Sequence, residues 1–420
     1  MDTETHYEVK DMKLAEQGKK NLAFAEMHMG ALLRIKEKFI REKPFSGIRI
    51  GLALHVTKET GILVRTLIAG GAEVAITGCN PLSTQDDVAA ALAAEGVHIW
   101  AYKGETKEDY YRYLTHVIAF KPHITIDDGC DLVSEIHIKH TDLIPHLIGG
   151  CEETTTGIIR LHAMVRDKAL KYPIIAVNDN KTKHLLDNYY GTAQSTLDGV
   201  IRATNVLLAG KIFVVLGYGS CGKGIAKAAK GMGANIVVCE VDAFSALQAV
   251  YDGFRVMKME DASVIGNIFL TVSGNKHVIR VEHMKLMKNG AILANSGHFD
   301  CEIDVAGLKK AATAEEKIRP FMDQYVLNGK KIFILGEGRL INLAAAEGHP
   351  STVMSTSFCG QALACEYIVK NREKLPIDVI QLPPEIDDTI SKLQLADLGV
   401  SIDEMTAEQK KYISSWQEGT

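Results

Sequence analysis

The stretch KIFVVLGYGSCGKG at residues 211–224 is the part of the sequence that most directly predicts the fold. Its apolar run ends at Gly217, and Gly219 and Gly222 complete the spacing G-x-G-x-x-G. In this pattern the first glycine permits a tight turn, the second lets the backbone approach a phosphate, and the third lets a helix pack on the strand. The start of that helix adds partial positive charge opposite a pyrophosphate. The stretch therefore predicts a strand, a turn and a helix that bind a dinucleotide.

A carboxylate at the end of the next predicted strand indicates which dinucleotide is bound. Glu240 lies about 20 residues beyond the glycines, where its side chain can accept hydrogen bonds from both ribose hydroxyls. A carboxylate there also repels a 2′-phosphate, so the sequence favours NAD over NADP. The alternative is a glycine-rich turn that binds no ligand.

Apolar runs alternate with helical patterns on both sides of these glycines, which predicts an α/β fold. We expect two doubly wound Rossmann-like domains and a small helical C-terminal tail. Their predicted bounds are 1–180 for a substrate-binding domain completed by about 352–384, 190–350 for an NAD-binding domain, and 385–420 for the tail. A helix-forming stretch is predicted at 12–43 and a helix at 58–69. Strands are predicted at 48–54, 73–77, 98–102, 123–128, 212–216, 235–239, 268–272, 291–294 and 331–335.

The composition excludes several other classes of function. The 420 residues carry a formal net charge of −5, so no basic surface is available for nucleic acid. No apolar run approaches the ~20 residues of a membrane helix, and the N-terminus does not resemble a secretory signal. The eight cysteines form no CxxC pair and have no zinc-ligand spacing. We expect free thiols, a cytoplasmic location and no metal.

Polar clusters follow several of the predicted strands, and each has a plain structural explanation when taken alone. His55 could be a hydrogen-bonded core histidine, and Lys183 and Asp187 could be an exposed i, i+4 pair. The carboxyl ends of parallel strands lie at one edge of a sheet, where α/β proteins bind ligands. The shared position of the clusters therefore favours a site between the two domains.

The sequence resembles the S-adenosylhomocysteine hydrolase (adenosylhomocysteinase) family over nearly its whole length, in the short-tailed archaeal and bacterial branch. The resemblance implies reversible hydrolysis of S-adenosyl-L-homocysteine to adenosine and L-homocysteine, with a tightly bound NAD that is reduced and reoxidised in each turnover. The motifs that carry it are NPLSTQDD (80–87), DDGCDL (127–132), EETTTG (152–157), the stretch from Lys183 to Asn188, GYGSCGKG (217–224), GHFDCEID (297–304) and GEGRLINLAAAEGHP (336–350).

The chemistry that the resemblance implies begins with oxidation of the 3′-hydroxyl, which acidifies the neighbouring C4′–H. Elimination of homocysteine, addition of water and reduction of the ketone follow. By resemblance Lys183 is the base for the 3′-hydroxyl, with a pKa lowered by a nearby cationic nicotinamide. Asp187 and Asn188 are implied to orient it, and Glu153 to hold the ribose hydroxyls.

Other residues are assigned by the same resemblance. His55 and Asp128 are implied to transfer protons on the 5′ side, with their roles undivided, and His298 to lie near both nicotinamide and substrate. The residues implied to contact the purine are Thr57, Glu59 and His349. Those implied to contact NAD are Thr154, Thr155, Thr156, Gly217, Gly219, Ser220, Cys221, Gly222, Lys223, Gly224, Glu240, Asn275, Ser296, Gly297, His298 and Asn342.

The chain departs from the family pattern in three places. It ends without the Lys- and Tyr-containing tail that reaches a neighbouring subunit's NAD, although the resemblance still implies a homotetramer. Thr192 replaces a cysteine, and Glu347 replaces a residue that is often apolar. S-inosyl-L-homocysteine therefore remains an alternative substrate. A plain NAD-dependent dehydrogenase and a regulatory dinucleotide-binding module remain alternative functions. Closure of the domains is expected about hinges near 179–195 and 345–355.

Overall fold

A computed structural model describes residues 6–417. The chain forms two sheets, each covered by helices on both faces and each containing parallel strands in an order that reverses direction. The predicted class, two doubly wound Rossmann-like units with a small helical C-terminal tail, is confirmed. Among residues 6–417, no helix combines the length and apolarity that a membrane-spanning helix needs.

The first sheet is wholly parallel. Its strands are β1 (Tyr7–Val9), β2 (Arg49–Ala53), β3 (Glu73–Thr77), β4 (His98–Ala101), β5 (Ile124–Asp127), β6 (Gly149–Glu152), β7 (Ile174–Ala176) and β16 (Val379–Ile380). Their order is β1-β4-β3-β2-β5-β6-β7-β16. After β2, the strands β3 and β4 are added on one side of it, whereas after β5 the strands β6 and β7 are added on the opposite side. Ligands of such sheets bind at the carboxyl ends of the two strands where the order reverses.

Most helices that cover the first sheet come from the N-terminal part of the chain, and the last two come from a segment that follows the second sheet in the sequence. They are α1 (Ala15–Glu26), α2 (Gly30–Glu42), α3 (Lys58–Ala69), α4 (Asp86–Ala94), α5 (Lys107–Ala119), α6 (Asp131–Lys139), α7 (Thr155–Arg166), α15 (Ser351–Asn371) and α16 (Pro384–Asp397). The helix-forming stretch predicted at 12–43 contains two helices rather than one continuous element. Met29 is fully buried with non-helical φ and ψ, so the chain changes direction between α1 and α2.

The second sheet carries the glycine-rich turn. Its strands are β8 (Ile212–Leu216), β9 (Asn235–Cys239), β10 (Arg255–Val256), β11 (Ile268–Thr271), β12 (Ala291–Asn295), β13 (Ala314–Arg319), β14 (Met322–Leu327) and β15 (Lys330–Leu335). Their order is β10-β9-β8-β11-β12-β15-β14-β13, with β13, β14 and β15 antiparallel. Its helices are α8 (Thr192–Thr204), α9 (Ser220–Gly231), α10 (Ala243–Tyr251), α11 (Met259–Ile265), α12 (Val281–Leu286), α13 (Val305–Ala311) and α14 (Ile341–Ala344).

The continuous apolar run of β8 reflects burial on both of its faces. Phe213 and Val215 belong to one hydrophobic core, and Val214 and Leu216 belong to the core on the opposite face. A strand covered on both sides needs no polar alternation. This is why the run before the glycines is uniformly apolar.

The C-terminal segment is only partly packed. α16 buries Ile390 and Gln394, while α17 (Ala407–Ile413) has no buried residue. The predicted helical tail therefore consists of one docked helix and one exposed helix.

Candidate active site

A cavity of about 780 Å³ lies between the carboxyl ends of the two sheets. The first sheet contributes His55, which follows β2, and Asp128, which follows β5. The second contributes Gly217 after β8 and Ser273 after β11. Both strand-order reversals therefore face one cavity, as the sequence predicts.

The segment Lys183–Gly191, which leads from the first sheet toward α8, is a π-helix. Lys183, Asp187 and Asn188 are buried on it and line the cavity. In a π-helix residues i and i+5 lie together, and the Lys183 Nζ donates to the Asn188 Oδ1 at 2.7 Å. π-helical turns occur frequently at functional sites. The exposed i, i+4 pair considered from the sequence is therefore wrong for Lys183 and Asp187.

The surroundings of Lys183 favour its charged form. Its Nζ lies 3.6 Å from the Glu153 Oε1 and 3.5 Å from the Asp187 Oδ2. Burial alone lowers the pKa of Lys183, but the two carboxylates outweigh burial and raise it above its ordinary value. Lys183 is therefore a buried ammonium in this structure.

Glu153 follows β6 and is held from the opposite side by α15. The Ser357 Oγ donates to its Oε1 at 2.5 Å, and the Gln361 Nε2 donates to its Oε2. Burial raises the pKa of Glu153, although the Lys183 charge lowers it in part. The carboxylate is thus fixed in place with Lys183 beside it.

His55, Asp128 and His298 form a cluster in the same cavity. The His55 Nε2 lies 3.5 Å from one Asp128 oxygen, and the His298 Nδ1 lies 3.5 Å from the other. Gly129 makes this approach possible, because a Cβ there would lie 2.1 Å from the His298 Nε2. The donor atoms of the cluster lie within 4.8 Å of one another, close enough to hold a metal ion. That the protein binds no metal therefore remains a prediction.

His55 is a neutral imidazole at ordinary pH. Burial lowers its pKa to about 4, even though Asp128 favours the protonated form. Its Nδ1 lies 3.2 Å from the Cys79 Sγ. A neutral imidazole beside a carboxylate can accept a proton from a bound molecule.

The residues assigned to the purine lie at different depths. The His349 Nδ1 contacts the Asp187 Oδ1 at 2.6 Å, and Thr57 caps α3, and both line the cavity. Glu59 is 1% exposed, accepts a hydrogen bond from the Ser351 Oγ at 2.6 Å and does not line it. The Glu347 carboxylate is mostly exposed and pairs with Lys58 at 2.9 Å, outside the cavity.

The glycines after β8 have different surroundings. A Cβ at Gly222 would lie 2.0 Å from the Gly217 carbonyl oxygen, and one at Gly224 would lie 2.0 Å from the Tyr189 carbonyl oxygen. A Cβ at Gly219 would meet nothing within 4 Å, and Gly219 lines the cavity. Gly222 and Gly224 therefore serve packing, while Gly219 exposes backbone at the start of α9, where a phosphate is favoured.

Glu240 holds the turn together from the end of β9. It accepts hydrogen bonds from the backbone N–H groups of Tyr218, Val241 and Asp242 at 2.6, 2.6 and 3.1 Å. A carboxylate offers about four acceptor positions, so capacity for a ribose hydroxyl remains.

The opposite end of the cavity fits a nicotinamide amide. Asn342 is 2% exposed, its Nδ2 donates to the Ser195 Oγ at 3.3 Å, and its Oδ1 has no hydrogen-bond partner among residues 6–417. A buried acceptor of this kind is costly unless a ligand donates to it. With Gly219 and Glu240 at the other end, the residues fit NAD.

Four of the predicted site residues do not line the cavity: Glu59, Gly222, Lys223 and Gly224. The Lys223 Nζ instead donates to the Gln248 Oε1 at 2.7 Å. The remaining predicted residues line it, including Thr154, Thr155, Thr156, Ser220, Cys221, Asn275, Ser296 and Gly297.

Sequence reasoning missed several residues of the cavity wall. The His184 Nε2 contacts the Ser220 Oγ at 2.8 Å and so joins the π-helix to the glycine-rich turn. Its position next to Lys183 in the sequence is the signal that could have revealed it. Met354 and Phe358 on α15 also line the cavity, but they carry no polar signal.

A doubly wound sheet with this turn, this carboxylate and a facing acid–base cluster defines an NAD-dependent enzyme. Sequence models of S-adenosyl-L-homocysteine hydrolase match residues 6–144, and those of its NAD binding domain match residues 188–348. The chain belongs to the S-adenosyl-L-homocysteine hydrolase family.

Individual relatives are similar over almost the whole chain. The S-inosyl-L-homocysteine hydrolase of Methanocaldococcus jannaschii is 56% identical, covering 99% of this chain and 100% of the relative. The adenosylhomocysteinase of Sulfolobus acidocaldarius is 54% identical with the same coverage. A solved structure of dipicolinate synthase from Bacillus halodurans has a TM-score of 0.50 at 12% identity, covering 78% of this chain and 99% of its own, which shows a shared fold alone.

Proposed function

We propose that the protein hydrolyses S-adenosyl-L-homocysteine reversibly to adenosine and L-homocysteine. Bound NAD supplies reversible hydride acceptance from the 3′ carbon of the ribose. The single observation that carries the proposal is the buried group of Lys183, Glu153 and Asp187 in one cavity with the His55–Asp128–His298 cluster. A site of this kind can transfer protons at two positions of one sugar.

Different residues of the chain carry out the proton transfers on the 3′ side and on the 5′ side of the sugar. Glu153 and Lys183 hold the 2′- and 3′-hydroxyls, and Lys183 takes the 3′ proton. Its raised pKa falls when a positive charge is bound beside it, because like charges disfavour the ammonium form. His55 and Asp128 serve the 5′ side, where the pair accepts the C4′ proton and gives it to the leaving sulfur, and then accepts a proton from the attacking water and returns it to C4′.

Two substrates that differ in their purine, the adenosyl and the inosyl thioether, are candidates. The 54% identical relative named adenosylhomocysteinase supports the adenosyl substrate. The 56% identical relative named S-inosyl-L-homocysteine hydrolase supports the inosyl substrate. We favour S-adenosyl-L-homocysteine and keep S-inosyl-L-homocysteine as the second candidate.

One experiment tests reaction and preference together. The protein is incubated separately with the two thioethers, and free thiol is measured over time. Thiol release from either supports hydrolysis, and the ratio of rates assigns the purine. A 3′-deoxy substrate must release no thiol, and NADH must not accumulate in solution. Steady NADH release would instead indicate a plain dehydrogenase.

We also propose a cytoplasmic homotetramer in which a substrate-binding domain (1–180 with 352–384) closes on an NAD-binding domain (190–350), with 385–420 as a tail. All eight cysteines are free, which fits a reducing compartment. Phe244, Leu247 and Tyr251 form an exposed apolar face on α10 that suits self-association. Light scattering should give the mass of four 45.9-kDa chains, and Phe244→Lys should lower it.

A further inference from the structure

His184 lines the cavity but takes no part in the proton transfers proposed for the sugar. It is half-buried and follows Lys183 directly on the π-helix. Its two ring nitrogens contact different elements. The Nδ1 lies 3.4 Å from the Asn188 Nδ2 on the same π-helix, and the Nε2 lies 2.8 Å from the Ser220 Oγ at the start of α9. The nitrogen that carries the proton therefore decides what Ser220 can do.

The neighbouring amide of Asn188 has a fixed orientation. Its Oδ1 accepts a hydrogen bond from the Lys183 Nζ at 2.7 Å, and its Nδ2 donates to the Asn178 Oδ1 at 3.1 Å. An ammonium group can only donate, so the amide atom that faces Lys183 must be the oxygen. The NH₂ group therefore faces His184, and the His184 Nδ1 accepts a hydrogen bond from it.

This contact determines the tautomer of His184. Burial and the Lys183 charge lower the pKa of His184, Asp179 raises it and Lys223 lowers it, so that the ring is neutral at ordinary pH. A neutral imidazole carries one proton, and an accepting Nδ1 leaves that proton on the Nε2. The His184 Nε2–H therefore donates to the Ser220 Oγ.

The Ser220 hydroxyl is left with its own proton to donate, because it accepts from His184. Ser220 lines the cavity and follows Gly219, the glycine that exposes backbone at the start of α9. The start of a helix favours a phosphate, and a hydroxyl that donates to the same anion forms a charge-assisted hydrogen bond. The direction of each hydrogen bond thus prepares Ser220 for a phosphate.

We propose that His184 is a positioning residue for NAD, which holds the Ser220 hydroxyl as a hydrogen-bond donor to a phosphate of the cofactor. Lys183 donates to Asn188, Asn188 to His184, and His184 to Ser220. The chain of hydrogen bonds begins at a positive charge and ends at an anion, so each bond polarises the next in the same direction. This inference concerns the binding of NAD and does not depend on the proposed hydrolysis.

The first test titrates the full-length protein, freed of nucleotide, with NAD and compares dissociation constants. His184→Phe keeps a ring but loses both nitrogens, and we expect NAD affinity to fall by about tenfold. His184→Gln can place an amide N–H where the Nε2–H lies and should stay within about threefold of wild type. His162→Phe, exposed on α7, should match wild type. Wild-type affinity in His184→Phe, or equal losses in His184→Gln and His184→Phe, would overturn the proposal.

A double-mutant cycle shows whether His184 acts through Ser220. Ser220→Ala removes the hydroxyl, so the further change His184→Phe has nothing left to orient. We expect the double variant to bind NAD as Ser220→Ala does, within about twofold. Losses of about tenfold in each single variant that multiply to about a hundredfold in the double variant would refute the proposal. Absence of thiol release from the wild type, with the expected NAD affinities, would instead count against the proposed hydrolysis alone.

Discussion

At the scale of single residues, the local environment decides which groups carry a proton. Lys183 is buried and His55 is mostly buried in one cavity, yet their pKa values move in opposite directions. Burial lowers both, but Lys183 lies beside two carboxylates, whereas His55 lies near only Asp128. The cavity therefore holds an ammonium and a neutral imidazole together.

Replacing Lys183 by methionine tests its role. We expect thiol release to fall by about 10²- to 10⁴-fold, since a positioned proton-transfer group contributes that much. Glu153 and Asp187 would also lose their shared cation, so the melting temperature should fall more at pH 8 than at pH 5. Lys181→Met, an exposed neighbour, serves as the control for both measurements. Unchanged thiol release in Lys183→Met would refute the assignment.

The lowered pKa of His55 predicts how stability depends on pH. The folded protein resists protonation of His55 down to about pH 4, whereas an unfolded histidine binds a proton near pH 6.5. Its contribution is therefore present above about pH 6.5 and is lost as the pH falls toward 4. We expect wild type to lose about 3 kcal/mol more of its unfolding free energy between pH 7 and pH 4 than His55→Asn does.

Urea unfolding at a series of pH values measures this difference. His146→Asn is the matched control, because His146 is exposed and its loss should leave the pH dependence as in wild type. Parallel curves for wild type and His55→Asn would show that His55 is not held neutral by burial.

At the scale of elements, α9 has a crowded end and an open end. A Cβ at Gly224 would lie 2.0 Å from the Tyr189 carbonyl oxygen of the π-helix, whereas one at Gly231 would meet nothing within 4 Å. The same substitution should therefore have opposite effects at the two positions of one helix.

We expect Gly224→Ala to destabilise the protein by about 1–3 kcal/mol, because extra volume must push α9 from the π-helix. NAD affinity should weaken with it, since both elements line the cofactor end of the cavity. Gly231→Ala should stabilise by about 0.5–1 kcal/mol, because alanine is the better helix former. Urea unfolding and NAD titration measure the two effects. Destabilisation by Gly231→Ala equal to that by Gly224→Ala would contradict this account of the packing.

At the scale of the whole molecule, few polar contacts join the two sheets outside the cavity. The Lys103 Nζ, from the loop after β4, donates to the last carbonyl oxygens of α14. The Lys58 Nζ, on α3, pairs with the Glu347 carboxylate at 2.9 Å. These contacts lie beside the segment that returns the chain to the first sheet, and we expect them to support the proposed closure.

Lys103→Met should weaken closure. Hydrogen bonds to a charged group contribute about 1.5–3 kcal/mol, so losing them shifts the equilibrium toward an open form by about tenfold or more. We expect a larger radius of gyration by small-angle X-ray scattering and faster NAD release. Lys107→Met, on an exposed turn of α5, should match wild type in both. An unchanged scattering curve together with unchanged NAD release would show that Lys103 does not support closure.

The local amino-acid pattern was sufficient to predict those helices and strands whose surroundings in the fold favour the same structure as the pattern does. The predicted strands at 73–77, 212–216 and 235–239 and the helix at 58–69 match β3, β8, β9 and α3 residue for residue. β13 was not predicted, because its charged sequence AEEKIR is stabilised as an exposed edge strand only by pairing with β14. Pairing of this kind depends on the partner strand and leaves no local pattern.

Family resemblance supplied most of the predicted site residues, and all but four of the predicted residues line the cavity. The sequence by itself determined the two α/β sheets and the glycine-rich turn. These depend on spacing and apolar periodicity, which are local in the chain. The tertiary structure alone decided the raised pKa of Lys183 and the exclusion of Glu59 and Lys223 from the cavity wall. Each of these depends on distances between atoms from segments far apart in the chain, because Coulomb interaction and burial act through space.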